Sequence, residues 1–438
     1  MKRQMSGEEE KQNNFITKMR SVYMQSLAYV DANRIYSRIM ELGEIGRTKQ
    51  SGVQRLALSK EDKEAQILVT KWMEEAGLTV SHDHFGNLIG RKEGEKPHLP
   101  IVMIGSHIDS VRNGGKYDGI IGVLGGIEIA QFIYSNNISH AHTLEVIAFC
   151  EEEGSQFNDG LFGSRGMVGK ATEEDFQKKN DQQVTRYDAL KKFGFGIDPA
   201  RYKESVRKEE EIKIYLEMHI EQGPYLDVNN HPIGIVNGIA GLSWYTIMIE
   251  GTPGHAGTVP MNLRNDPMTG AAKAIQEINE LCSSQSDQQT VGTVGIIQAF
   301  PGGSNIIPNA VQFSLDLRDI NLTRKNRIFT EIEEKLQAIC QENGLTYTIK
   351  TNIELNPVAC SEEIIDVFTS IGKKLDMDIP IMVSGAGHDA MLMSEITDIG
   401  MIFVRCKKGI SHQPEESATK EDIAMGTEIM LQAVLQYI

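Results

Sequence analysis

The chain has 438 residues, more than one ordinary hydrophobic core organises, so two domains are expected. Hydrophobic residues make up 40% and charged residues 24%, the balance of a soluble globular protein. The net charge of −16 argues against nucleic acid and anionic membrane surfaces as partners, but not against a small anionic substrate in a locally positive pocket.

No uninterrupted run of about 18 apolar residues occurs, so no membrane span is expected. Residues 1–14 are charged and lack the apolar stretch of a signal peptide. Five scattered cysteines (150, 282, 340, 360 and 406) without a Cys-x-x-Cys pair fit reduced thiols in a cytoplasmic protein. Residues 23–44 read as helical. Residues 60–77 are amphipathic, with Ala65, Leu68, Val69, Trp72 and Met73 at helical spacing and Gly77 as the stop. Two short paired strands follow, over 78–80 and 87–90, with His82 and His84 read as exposed turn histidines.

An apolar strand over 101–105 leads into Gly105-Ser-His107-Ile-Asp109-Ser-Val-Arg-Asn-Gly-Gly-Lys-Tyr-Asp118-Gly, then a helix over 120–134 and a strand over 143–149. Such β-loop-α-β units build parallel or mixed sheets whose ligands gather at the carboxyl ends of strands. Glu151-Glu152-Glu153 follows the second strand, and Glu217-Met-His219-Ile-Glu221-Gln222 ends a third over 212–220. Residues 170–211 are charged and read as surface helices and loops. Arg112 and Lys116 have no assigned partner and read as surface residues.

The pattern changes near Leu242. Strand 243–250, helix 266–282, strands 290–298 and 311–318, helix 323–343 and strand 346–350 give the order βαββαβ of a ferredoxin-like module. Helices over 362–375 and 420–437, a short helix from Ala390 and a strand over 400–405 return to the first style. They enclose Ser384-Gly-Ala-Gly-His388-Asp389 and Ser411-His412-Gln-Pro-Glu415-Glu416. The expected division is 1–240 and 354–438 for a catalytic domain, with 241–353 inserted as a dimerisation domain.

A hydrolytic dinuclear centre needs a bridging carboxylate, terminal imidazoles and carboxylates, and a free carboxylate as general base. His107, Asp118, a glutamate from 151–153, His219 and His412 supply those types in strand-end contexts. Asp109 is spaced to receive the second ring N–H of His107. Spacing leaves the choice among Glu151, Glu152 and Glu153 open.

The segments GSHIDSVRNGGKYDG, EEEGSQF, EMHIEQGPYLD, GTPGHAGTVPM, PGGSNIIP, DLRD, SGAGHDA and SHQPEE span residues 105–416. Together they resemble the aminoacylase/carboxypeptidase-type dinuclear metallohydrolases, in their amidase branch of N-carbamoyl-L-amino acid hydrolases, β-ureidopropionases and allantoate amidohydrolases. GSHIDSVRNGGKYDG and NDGLFGSRGMVG look most like bacterial allantoate amidohydrolases. The resemblance implies an α/β, mixed-sheet catalytic domain with an inserted ferredoxin-like domain and two divalent ions, Mn2+ or Zn2+. It implies His107, Asp118, Glu153, His219 and His412 as metal ligands, with Asp118 bridging and Glu152 as general base. It implies His255, reaching the partner subunit's site in a homodimer, and Asn305, Arg318, Gln222 and the backbone near Gly387 as substrate contacts. His388 and Asp389 are expected to shape the site.

The implied reaction is hydrolysis of a ureido C–N bond in a small anionic substrate, allantoate first, with N-carbamoyl-L-amino acids as the alternative. An aminoacylase or peptidase, and a non-catalytic binding relative, rank below these. One departure stands out: the family's usual Glu-Gly-Ser-Arg-Phe has Gln156 here in place of arginine.

Overall fold

The computed structural model describes residues 30–285 and 290–438. Much of the expected helix over 23–44 lies outside them, and its described part is α1 (Ala32–Leu42), capped by the Asp31 carboxylate on the backbone N–H groups of Asn33 and Arg34. The chain continues through α2 (Lys60–Glu75), β1 (Thr79–His82), β2 (Leu88–Lys92), β3 (Ile101–His107), α3 (Ile120–Ser135), β4 (Leu144–Phe149), α4 (Arg186–Phe193), β5 (Ile212–Ile220) and β6 (Ile233–Ile239). It divides into two compact units: one of residues up to Asn237, Cys360–Met382 and His388–Ile438, the other of Gly238–Ala359 and Val383–Gly387.

The second unit contains β7 (Gly241–Glu250), α5 (Pro267–Ser283), β8 (Val291–Thr293), β9 (Ile297–Phe300), β10 (Ala310–Asp319), α6 (Leu322–Glu342) and β11 (Thr346–Glu354). Its sheet runs β9-β10-β7-β11, all antiparallel, with β8 also on β10. Alternation decides which face is buried. Ile247, Ile249, Val311, Phe313, Leu315 and Leu317 point into one core with α5 and α6. The strand expected over 290–298 is split. Asp316 faces Thr293 but Phe313 faces Ile297, so three steps on β10 match four on its partner. The extra residue is a bulge at which the Ser314 hydroxyl accepts the Ile296 N–H at 3.0 Å.

The first unit resumes with α7 (Glu362–Lys374), α8 (Asp389–Met393), β12 (Asp398–Val404) and α9 (Lys420–Tyr437). Its strands lie in the order β1-β2-β4-β3-β5-β12-β6. The pairs β4–β3, β3–β5 and β5–β12 are parallel. Every residue of β3 and β4 is buried, as expected of central parallel strands covered on both faces. α3 is apolar nearly all round and lies against β3, β4 and β5. Its glycines permit that approach: a Cβ on Gly122 would meet the Met218 carbonyl oxygen at 2.4 Å.

Residues 170–211 differ from the expected surface segment. Phe176, Leu190, Phe193 and Ile197 are buried with Phe85 and Phe162 in a small core of their own. His82 and His84 are likewise not exposed turn residues. His82 lies in β1, its Nε2 2.8 Å from Gln66 Oε1 and its ring stacked on Phe195, and burial pushes its pKa down to about 4. His84 Nδ1 accepts the Asp198 N–H. Among the described residues no helix is long and apolar enough to cross a membrane.

A Cβ at Gly105, inside β3, would stand 2.0 Å from the Ile147 carbonyl oxygen of β4. Gly105→Ala is therefore expected to cost about 3 kcal/mol through overpacking. An unchanged urea midpoint would contradict that closeness of the two strands.

Candidate metal centre

The carboxyl ends of the parallel strands deliver the chemistry. His107 closes β3, Glu151–Glu153 follow β4, His219 is the last residue but one of β5, and His412 lies beyond β12. Asp118 precedes α3, whose N-cap is Gly119 at φ 70°. A Cβ on Gly119 would lie 2.4 Å from His107 Nε2, so this glycine lets the chain return beneath the imidazole. Arg55, 1% exposed, holds the start of the loop by donating from Nε to the Ile108 carbonyl (2.6 Å) and from Nη1 to the carbonyls of Leu42 and Ile45.

Asp118 stands between two groups. Its Oδ1 is 3.1 Å from His219 Nε2 and 3.5 Å from His107 Nε2, and its Oδ2 is 3.3 Å from His412 Nε2. Glu153 Oε2 lies 3.5 Å from the same His412 nitrogen. The two triads, His107–Asp118–His219 and Asp118–Glu153–His412, thus share one carboxylate.

The ring orientations of His107 and His219 fit a cation in the first triad, where the Gly119 N–H also lies 3.1 Å from His219 Nε2. His107 Nδ1 is 3.1 Å from the Asp109 carbonyl and His219 Nδ1 is 2.9 Å from the Ile220 carbonyl. An Nδ1–H in those positions turns the Nε2 lone pair of each ring toward Asp118. His107 Nε2 and Glu153 Oε1 are buried without a hydrogen-bond partner. Lone pairs facing a carboxylate oxygen repel unless a proton or a metal cation lies among them, and, against burial, the surrounding carboxylates raise the pKa of both rings. A tetrahedral site with bonds of about 2.1 Å has edges of about 3.4 Å, which the ligand separations match.

The structure separates the three glutamates. Glu151, fully buried, accepts the Phe157 N–H at 2.7 Å and pairs with Arg186 Nε at 3.1 Å. Glu153 faces His412, while Glu152 Oε2 lies 3.6 Å from His107 Nε2. Burial drives the Glu152 carboxyl well above its usual pKa, with His107 pulling the other way. The Asp118 hydrogen bond raises His412 to about 9. Asp109 acts differently from the expected ring acceptor. Its carboxylate stands 3.6 Å from His107 Nδ1 and instead accepts the backbone N–H groups of Glu152 and Glu153 at 3.2 Å each. The backbone carbonyl takes the ring because the tight turn after β3 brings it nearer.

Gln222, at φ 56°, donates from Nε2 to Asp118 Oδ2 at 2.7 Å. His388 is buried with its ring edge-on to His219, centroids 4.5 Å apart. Asp389 is buried beside it, close enough for its charge to bear on Glu152. The other expected substrate contacts belong to the second unit. His255 and Asn305 are exposed neighbours on a two-stranded ladder, where the Ala256 N–H donates to the Asn305 carbonyl at 2.9 Å. Arg318 is occupied by the Asp316 carboxylate and by the Gly385 carbonyl at 2.7 Å. Gly387 lies in the same unit, with nothing within 4 Å of where its Cβ would be. Arg112 and Lys116 do have partners, Asp181 at 2.6 Å and Glu44 at 3.7 Å.

Sequence reasoning missed Arg186. It opens α4, is fully buried, and bonds Glu151 and Asp159 while its guanidinium lies 4.1 Å over the Phe162 ring. Nothing local marks an arginine in a charged stretch as buried. A signal was available only in the surplus of acids on the loop it meets.

A family model described as peptidase family M20/M25/M40 matches residues 103–436. An N-carbamoyl-L-amino-acid amidohydrolase of Pseudomonas sp. (strain NS671) is 61% identical over 93% of this chain and 99% of its own length. An allantoate deiminase of Arabidopsis thaliana is 32% identical over 90% of this chain and 80% of its own. A crystal structure of an amidase of the hydantoinase/carbamoylase family from Burkholderia multivorans superimposes with a TM-score of 0.87 at 32% identity, covering 93% of this chain and 98% of that one.

Replacing Arg186 by Met strands the buried Glu151 carboxylate and is expected to cost about 3–5 kcal/mol. Adding Glu151→Gln to that variant removes the stranded charge and should recover most of the loss in chemical denaturation. Equal losses in the single and double variants would show that the pair is not coupled.

Proposed function

The chain belongs to the M20/M25/M40 peptidase family and is an amidohydrolase, and within that family we propose that it hydrolyses N-carbamoyl-L-amino acids to the free amino acid, ammonia and carbon dioxide. One observation carries the choice: 61% identity over nearly the full length of a protein of that activity, against 32% to the allantoate deiminase. The allantoate reading preferred from short motifs gives way to the alternative on that difference in full-length identity.

His107 and His219 would hold one divalent ion and Glu153 and His412 the other, with Asp118 between them. Mn2+ and Zn2+ both suit imidazole and carboxylate donors. Such ions supply Lewis acidity, which lowers the pKa of water toward neutrality and polarises a carbonyl oxygen. Glu152 takes the proton of the attacking water and returns it to the leaving nitrogen. His255 donates to the carbonyl oxygen as charge develops there, a kind of contact worth about 3–4 kcal/mol in other enzymes. Arg318 and Asn305 hold the substrate carboxylate, which takes the place of Asp316 on the planar guanidinium fork.

His255 serves the site of the partner subunit in a homodimer. Five buried free thiols support a reducing, cytoplasmic setting.

Three measurements test this reading. The kcat/KM values of N-carbamoyl-L-amino acids should exceed that of allantoate, and the reverse order would overturn the substrate assignment. Glu152→Gln should lower kcat by about 10²–10⁴-fold with bound metal retained; near-normal turnover removes Glu152 from the role. Mixing His255→Ala chains with Glu152→Gln chains should restore part of the activity, and a verified heterodimer without it would refute action across subunits.

A further inference from the structure

We infer that Glu416 is a positioning residue that ties together the two segments carrying Asp118 and His412. The inference rests on the reading that those two residues hold a divalent cation. Asp118 and Glu416 are 298 positions apart, yet one carboxylate grips both segments by their backbones. Glu416 Oε1 accepts the N–H groups of Tyr117 at 2.8 Å and Asp118 at 3.1 Å. Its Oε2 accepts the His412 N–H at 3.3 Å and lies 3.0 Å from the Ser411 hydroxyl, which is 2.7 Å from Asp118 Oδ2. Glu416 is 4% exposed and belongs to neither metal-binding triad, since both its oxygens are spent on these contacts.

Two further observations make the grip specific. The first concerns His412. The His107 and His219 rings are buried and each is fixed by a carbonyl on Nδ1, whereas the His412 side chain is 49% exposed and its backbone sits at φ 58°. A left-handed conformation is disfavoured for a residue with a Cβ and persists only where neighbours impose it. Packing supplies little of that constraint to a half-exposed ring, so the hydrogen bond from its own N–H to Glu416 carries it. A carboxylate accepting several backbone N–H groups is a strong, directional anchor.

The second concerns Gly115. It is not among the positive-φ glycines, so its backbone does not demand glycine. A Cβ there would lie 2.1 Å from the Glu416 carboxyl. Gly115 is small in order to admit Glu416, and the two residues form one device.

The test reads cation affinity and not turnover alone. Metal-stripped wild type, Glu416→Gln, Glu416→Ala, Gly115→Ala and the double variant Gly115→Ala/Glu416→Ala are titrated with Zn2+ or Mn2+ against a chromophoric chelator, alongside circular dichroism and the Tm of each apoprotein. Wild type should take up two equivalents. Glu416→Gln keeps the shape but turns an amide donor toward an N–H or hydroxyl donor. It should weaken at least one equivalent by about 10–100-fold, the usual effect of removing an outer partner of a ligand, while remaining folded. Gly115→Ala should weaken binding likewise, and adding it to Glu416→Ala should change nothing further. Wild-type affinity in a folded Glu416→Gln protein overturns the inference, as does an undiminished effect of Gly115→Ala in the Glu416→Ala background. Failure of the wild type itself to bind a divalent cation would instead overturn the metal reading beneath it.

Discussion

Asp118 carries a buried carboxylate to the strand ends, and the loops of the first unit are arranged around that charge. Oδ1 meets two imidazole nitrogens and Oδ2 a third, with Gln222 and Ser411 donating to Oδ2 as well. Around it lie further buried or nearly buried carboxylates, those of Asp109, Glu152, Glu153, Glu217 and Asp389. So many acids cannot all be ionised in a dry cluster without positive charge among them. Two divalent cations held by these donors would resolve the conflict, since the same concentration of negative charge that destabilises an empty cluster attracts them. Metal binding and the integrity of these loops are therefore one equilibrium.

The parallel strands make that cluster possible by ending together. β3, β4 and β5 are buried along nearly their whole length, so the register that buries Ile104, Val146 and Leu216 also sets His107, Cys150 and His219 at one edge. Gly105 lets β3 approach β4 closely, Gly122 lets α3 approach β5, and Gly119 lets the loop fold back under His107. Side-chain volume, and not only side-chain chemistry, fixes where the ligands stand.

This explains what could be read in the chain and what could not. The strands and helices of both units stand out as apolar runs and periodicities, and β5 and α9 lie over the residues that patterning indicated. The ligand types could be found because imidazoles and carboxylates beside glycine at strand ends are unusual. Their division of labour was hidden. Asp109 was expected to orient a ring, but the turn geometry gives that task to its backbone carbonyl and leaves the carboxylate to hold Glu152 and Glu153. The bulge between β8 and β9 was missed because one extra residue leaves the local apolar pattern intact. The small core formed by residues 176–197 was missed because its apolar residues are diluted among charges, and burial there is decided by partners distant in sequence.

The loop after β4 shows how such distant partners work. Between residues 151 and 161 it holds Glu151, Gly154, Asn158 and Leu161 in left-handed conformations, a costly backbone for three of them. Position 156, where the resembling family has arginine, is Gln156, so the loop has no cation of its own before Arg165. It takes its cations from neighbouring helices and turns instead. Arg186 bonds Glu151 and Asp159, and Arg165 and Lys178 close on Asp159, whose pKa falls to about 2 despite its burial. The strained turn is fastened at Glu151 and Asp159, leaving Glu152 and Glu153 free of these ion pairs and directed at the histidines. A residue that the chain pattern assigned to the surface therefore fastens the loop on which Glu152 and Glu153 stand beside the histidines.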